Sequence, residues 1–437
     1  MAHRRFSPLI GIVALVLFLV AAGALLVATP RAAHAIDCTV DSLPLTPVTD
    51  LGPGQYLTTI GGLYFGGSNM RPPAHTSAGL TIANAIAPLD TVGNSDPTHG
   101  RIVLISIGMS NTNFEFTRFV PLAMNDPQRN PRLLVVNCAE GGQSADLIRN
   151  PGVAYWDTVA ARLRAQGSSP LQVQAVWLKE ADKGPSGGWP AATDSLTWNL
   201  GTIVRLLHQK LPNLKLCYMT SRIYAGYATT TLNPEPYAYQ SAFAVRDVVC
   251  AQIAGIDSLN YDASRGAVEA PWLSWGPYLW ADGLKPRQDG MTWPCSDFQQ
   301  DGTHPDIQGS DVVADSLLAF FKSDATATPW FLAGAVGVAG GTGEGPTTSL
   351  ALAPNPARSG TRASFIAPPG AVWSVSVSDA SGRLVRAVAS GVGTGKAQAA
   401  EWFGSDASGA RVRPGVYWIT LRAAGLCASR SFVLLAR

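Results

Sequence analysis

Arg101-Ile-Val-Leu-Ile-Ser-Ile107 is a continuous apolar run that ends in Gly108-Met109-Ser110-Asn111, and its reading decides the fold. A strand apolar on both sides must be covered on both sides, which is the condition of a parallel sheet between two layers of helices. The theme repeats at Leu133-Leu-Val-Val136, Val173-Gln-Ala-Val-Trp-Leu178 and Leu214-Lys-Leu-Cys-Tyr-Met219. Between these runs the spacing turns helical. Ser195 to Lys210 sets Leu196, Leu200, Ile203, Leu206 and Leu207 near one face, and Asp311 to Phe321 does the same with Val312, Val313, Leu317, Leu318 and Phe321. Strands alternating with helices predict an α/β body over residues 101–332, and in such bodies sites gather just beyond the carboxyl ends of the strands.

Outward from this body the composition changes. Gly334 to Pro346 reads Gly-Ala-Val-Gly-Val-Ala-Gly-Gly-Thr-Gly-Glu-Gly-Pro, which can bury almost nothing, so residues 333–346 are expected to be a linker. Beyond it, Ala371-Val-Trp-Ser-Val-Ser-Val377 and Val416-Tyr-Trp-Ile-Thr-Leu421 alternate with period two. Ser381-Gly382 and Ser408-Gly409 mark turns, so residues 347–437 read as a small all-β sandwich. That part contains no histidine, which argues against general-base chemistry there. Residues 36–100 are rich in Gly, Pro and Thr and are expected to pack on the α/β body as loops, with one short helix near Ala78 to Ile86 and with His75 in a loop.

The first 35 residues read as a secretory signal. Arg4 and Arg5 precede an uncharged apolar run from Leu9 to Thr29, and Ala33-His34-Ala35 offers small residues at the cleavage positions, leaving Ile36 first. The run is also long enough to serve as an uncleaved anchor. Either way the bulk of the protein is expected to be exported: extracellular, on the cell surface or periplasmic. Six cysteines, Cys38, Cys138, Cys217, Cys250, Cys295 and Cys427, lie beyond this segment, none spaced as in a zinc knuckle. An oxidising compartment permits disulfides, whose pairing stays open, and Cys138 and Cys217 fit equally well as buried thiols.

Of the 437 residues 46% are apolar and 14% charged, with Lys+Arg 32 against Asp+Glu 30. A chain this apolar folds, and a net charge of +2 without a basic run excludes nucleic acid as a natural partner. No Gly-x-Gly-x-x-Gly, Walker loop or His-Glu-x-x-His is present, so no cofactor and no metal are expected. The Gly-x-Ser-x-Gly elbow is absent too, because Thr112 stands at its second glycine.

What remains is a serine and a base. Ser110 lies where the first strand should turn into a helix, next to amides that can stabilise an oxyanion, although serine is also a common N-cap. A serine hydroxyl becomes a nucleophile only with a base, and the base needs a carboxylate to fix its tautomer. His3 and His34 fall in the signal, His208 in an amphipathic helix, and His75 and His99 precede the first strand. His304, in Asp301-Gly-Thr-His304-Pro305 before the last helix, is therefore the candidate base, with Asp301 as its partner.

This pattern resembles the SGNH (GDSL-like) hydrolase superfamily: a serine after strand one, a glycine after strand two, a block after strand three and Asp-x-x-His before the terminal helix. Gly108-Met-Ser110-Asn111 looks closest to the Gly-x-Ser-Asn form of the carbohydrate acetylesterase branch. The resemblance implies a flavodoxin-like three-layer sandwich and a Ser110–His304–Asp301 triad with Asn111 near the substrate. The Ser110 amide and that of Gly141 or Gly142, in Asn137-Cys-Ala-Glu-Gly-Gly-Gln143, would serve as oxyanion donors. The third block departs from the family, which places an asparagine there, whereas this chain reads Val176-Trp-Leu-Lys-Glu-Ala-Asp182. Ionised Glu180 and Asp182 cannot donate and Lys179 can, so Lys179 or an amide of another loop is the expected substitute. The aromatic cluster Trp272-Leu-Ser-Trp275-Gly-Pro-Tyr278-Leu-Trp280 reads as a loop insertion. Trp272, Trp275 and Trp280 would either stack on sugar rings or close a core.

The terminal sandwich looks like a FlgD-type immunoglobulin-like module, similar to type IX secretion sorting domains. The likeness lies in Asn355-Pro356, Asp379-Ala-Ser-Gly382, Trp402-Phe-Gly-Ser-Asp406-Ala-Ser-Gly409 and Gly415-Val-Tyr417. It implies cell-surface or secretion machinery as a partner. Taken together, the sequence predicts an exported serine ester hydrolase acting on acetylated carbohydrate or a related small-molecule or glycan ester. The competing expectation is a catalytically weak or inactive glycan-binding surface protein on the same scaffold.

Overall fold

The computed structural model of the chain describes Met1 and residues 35–333, 350–355, 357–379, 384–423 and 426–435. The expected signal, apart from Met1 and Ala35, the linker beyond Ala333 and the Ser381-Gly382 turn lie outside the described residues. The chain divides into two compact units, Met1–Gly337 and Val338–Arg437.

The first unit is built on five parallel strands: β1 (Ile102–Gly108), β2 (Leu133–Asn137), β3 (Val173–Lys179), β4 (Leu216–Thr220) and β5 (Trp272–Trp275), in the order β2-β1-β3-β4-β5. This is the flavodoxin-like order, and its switch point lies between β1 and β3. Every residue of β1, β3, β4 and β5 is buried, the burial that continuous apolar runs call for. The longer helices are α1 (Pro73–Asn84), α2 (Ser110–Asn125), α3 (Tyr155–Ala165), α4 (Ala191–Lys210), α5 (Tyr237–Ile253) and α6 (Ile307–Ser323). α2 packs on α6, and α4 on α5. Trp177 and Tyr218 stand side by side in register beneath the first pair; Trp177 stacks on Phe116 of α2, and Tyr218 meets Phe320 and Phe321 of α6. Burying side chains of this size contributes about 1.5–3 kcal/mol each.

Two expectations are corrected here. The Trp272–Trp275 stretch is not a loop insertion but the edge strand of the sheet, paired with β4 from Leu216↔Trp272 to Met219↔Trp275. Residues 36–100 seal that edge: the Trp275 indole donates to the Leu63 carbonyl at 2.8 Å, and a Cβ placed on Gly79 of α1 would meet the Trp272 ring at 2.4 Å. The helix there starts earlier than the apolar pattern indicated, because Pro73 fits the first helical position. His75 is therefore helical, 5% exposed, bonded through Nε2 to the Leu273 carbonyl and stacked on Trp272 at 4.7 Å. Burial pushes its pKa down to about 4, and it packs rather than reacts. Cys38 and Cys295 form a disulfide across 257 residues of sequence, while Cys138, Cys217 and Cys250 are free and buried.

The second unit is a pair of antiparallel sheets. One holds β8 (Val372–Asp379), β9 (Leu384–Val392), β11 (Gly415–Ala423) and β12 (Leu426–Leu434) in the order β9-β8-β11-β12. The other holds β6 (Leu350–Ala353), β7 (Thr361–Ile366) and β10 (Ala397–Trp402) in the order β10-β7-β6. Period-two alternation buries Trp373, Val375 and Val377 of one sheet and Ala363 and Phe365 of the other in a single core. Among the described residues no helix is long and apolar enough to cross a membrane.

Candidate active site

Ser110 opens α2 directly after β1, at the end of the helix whose first amides have no partner inside it. The turn needs Gly108: a Cβ there would lie 2.3 Å from the Lys179 carbonyl and 2.4 Å from Thr112 Oγ1. Across from it, the loop before α6 presents Asp301 and His304. Gly302 makes that loop possible, with φ +65 and no room for a side chain beside the Tyr227 carbonyl at 2.1 Å. Asp306 caps α6 by accepting from the Gly309 amide at 2.9 Å, and the Cys38–Cys295 disulfide joins the chain just upstream.

The structure brings the three side chains into one hydrogen-bonded line. Ser110 Oγ lies 2.7 Å from His304 Nε2, and His304 Nδ1 lies 2.5 Å from Asp301 Oδ2. Asp301 Oδ1 also accepts from the Thr303 and His304 amides at 2.9 and 3.0 Å. Burial by itself would raise the Asp301 pKa; the imidazole and the two amides outweigh it and hold the carboxyl down to about 2. The carboxylate therefore stays ionised and orients the ring. Asn111, 1% exposed, donates through Nδ2 to the Thr303 carbonyl at 3.0 Å, tying the start of α2 to the histidine loop. Its amide group is thus committed to the protein, and only its Oδ1 is left without a partner.

Ser110, Asn111 and His304 line a cavity of about 230 Å³ together with Met109, Gly142, Lys183, Arg222, Leu232, Asn233 and Thr303. A Cβ on Gly141 would stand 3.9 Å from that of Ser110, and Gly142 lines the cavity. Their amides find no acceptor among the described residues.

Two further expectations are corrected at the site. Lys179 does not reach the cavity: its ammonium, 1% exposed, donates to both Glu115 oxygens at 2.6 and 2.9 Å. Burial pushes Lys179 down and Glu115 up, the pair holding both inside the protein. Together with the Thr112 hydroxyl on the Lys179 carbonyl at 2.6 Å, it bolts α2 to β3. Trp272, Trp275 and Trp280 are 0%, 3% and 0% exposed, with their indole N–H groups bonded to His75 O, Leu63 O and Glu235, so they present no face to a sugar. Glu180 and Asp182 are buried as well, and burial raises both their pKa values. Among the described residues no cluster of His, Cys, Asp or Glu is arranged to hold a metal ion.

Three polar lining residues escaped the sequence reading: Lys183, Arg222 and Asn233. Arg222 follows the end of β4 by two positions, so the rule that sites lie beyond strand ends could have found it. Asn233 sits far along the same loop, in a left-handed conformation, φ 49, with Nδ2 on the Asp182 carbonyl at 3.2 Å.

No protein-family model and no curated protein matches the chain. Among solved structures, a candidate acylhydrolase from Bacteroides fragilis is similar at 14% identity and TM-score 0.31, over 57% of this chain and 96% of that one. The periplasmic domain of a lipopolysaccharide acetyltransferase from Salmonella ser. Paratyphi A is similar at 13% identity and TM-score 0.26, over 56% and 95%. PorZ, a surface component of the type-IX secretion system of Porphyromonas gingivalis, is similar at 23% identity and TM-score 0.15. That match covers 20% of this chain and spans only 11% of PorZ. These likenesses are distant.

Proposed function

We propose that the chain is an exported serine ester hydrolase of the SGNH type. The observation that supports it is the unbroken line from Ser110 Oγ through His304 to Asp301, at 2.7 and 2.5 Å, opening on a cavity. In this reading Ser110 attacks the acyl carbonyl as His304 takes its proton, and Asp301 stabilises the imidazolium. The oxyanion is held by the Ser110 amide and by that of Gly141 or Gly142. The proton returns to the leaving alcohol, and water activated by the same histidine releases the acid. Residues 101–332 form the catalytic body, braced by residues 36–100, and residues 347–437 form a separate attachment or sorting module. The disulfide supports an oxidising compartment. Acetyl is the acyl group proposed, from the Gly-x-Ser-Asn sequence.

The test is hydrolysis of 4-nitrophenyl acetate by wild type and Ser110→Ala, together with fluorophosphonate labelling and peptide mapping. A loss of about 10⁴ or more, with the label on Ser110, is expected. Equal rates in the two proteins would sink the proposal.

A further inference from the structure

Arg222 is a buried guanidinium with nothing to hold. It is 2% exposed, its Nε and Nη2 have no hydrogen-bond partner, and it forms no ion pair among the described residues. Its backbone is fixed, because the amide donates to Ser241 Oγ at 3.0 Å. Four acids face it electrostatically: Glu115, Glu180, Glu235 and Asp301. Each is otherwise engaged. Glu115 belongs to Lys179, and Asp301 to His304 and two amides. Burial drives Glu180 toward its neutral form and raises Glu235 to about 7, where Glu235 accepts from Trp280 Nε1 at 2.7 Å.

Leaving a buried cation uncompensated is costly, so a fold that keeps one beside a reactive serine gains from a ligand that supplies the missing charge. The planar guanidinium fork matches the two oxygens of a carboxylate. Lys183, exposed on the same cavity, adds a second positive charge, and the unpartnered Oδ1 atoms of Asn111 and Asn233 offer acceptors for hydroxyl groups.

We infer that the serine cavity contains a carboxylate subsite built on Arg222 and Lys183, so that the ester it takes carries a negative charge on its acid or alcohol half. This rests on the esterase reading of Ser110.

The experiment compares kcat/KM for two pairs of aryl esters, each corrected for its rate with hydroxide. The first pair is 4-nitrophenyl hydrogen succinate and its methyl ester. The second is 3-carboxyphenyl acetate and its methyl ester. At least one carboxylate is expected to exceed its methyl ester by about tenfold to a hundredfold. Arg222→Met should erase that preference, lowering kcat/KM for the carboxylate more than for its methyl ester. Lys183→Met, a change at an exposed position, should weaken it by a few-fold.

No preference in wild type overturns the inference. So does an Arg222→Met variant that loses charged and neutral esters equally, because the guanidinium would then act at the oxyanion or in packing. If Arg222→Met fails to fold, the wild-type preference and its response to Lys183→Met still decide. Failure of the esterase reading would look different, with no ester hydrolysed at all. The subsite is then read by calorimetric titration of Ser110→Ala with monomethyl succinate and 3-hydroxybenzoate. Binding of either that weakens with Lys183→Met supports it, and binding of neither overturns it.

Discussion

Replacing Lys179 by methionine, alone and together with Glu115→Met, tests how the serine is held in place. The ammonium donates to both Glu115 oxygens at 2.6 and 2.9 Å, and the side chains are 1% and 0% exposed. Lys179→Met therefore leaves a carboxyl group away from water with no counter-charge, and proton uptake caps the cost. From the ordinary value of 4.5, protonation at pH 7 costs about 3.4 kcal/mol, at 1.36 kcal/mol per pH unit. That agrees with the ~3–5 kcal/mol lost when one partner of a buried pair is removed. The sign follows from linkage. A carboxyl whose pKa rises on folding loses stability as pH climbs from its unfolded toward its folded value, so the deficit should shrink to about 1.4 kcal/mol at pH 5.5.

The double variant fills the same space with apolar groups and should lie within about 1 kcal/mol of wild type at both pH values. Urea unfolding at pH 7 and 5.5, with kcat on 4-nitrophenyl acetate, measures all of this. Because the pair bolts α2 to β3 without entering the cavity, the double variant should keep its kcat within about tenfold of wild type. A double variant as stable as wild type but slower by about 10²–10³ would refute the reasoning, since that is the loss expected of one oxyanion donor.

Asp301→Asn should lower kcat by about 10⁴ with little change in fold, because the wrong histidine tautomer would face Ser110; circular dichroism and steady-state kinetics check it. Since Asp301 titrates at about 2, the kcat/KM profile of the wild type should show no inflection from this carboxylate between pH 3 and 5. Glu235, buried and raised to about 7, binds a proton more tightly folded than unfolded. Stability should therefore fall as pH rises from about 4.5 to 7, and Glu235→Gln should flatten that slope by up to about 1.36 kcal/mol per unit in unfolding titrations. Replacing Cys38 and Cys295 by serine releases a loop of 257 residues and should cost about 2–5 kcal/mol, seen as a lower midpoint in guanidinium unfolding.

Features that depend on neighbours along the chain were legible in the sequence. Continuous apolar runs announced β1 and β3, because burial on both faces favours apolar side chains at successive positions. Asp301 and His304 could be paired from sequence because their hydrogen bonds span three residues inside one glycine-containing turn. Only the tertiary structure decided the contacts between distant segments. Ser110 and His304 are 194 positions apart, and Lys179 could be assigned to Glu115, 64 positions away, only once α2 lay across β3. Trp272 and Trp275 read as a loop insertion, and only their pairing with β4 and the cover of the N-terminal segment made them an edge strand, since an aromatic run satisfies either environment. Arg222 was silent for the same reason: a lone arginine has no local pattern, and its meaning comes from the partners that the fold withholds from it.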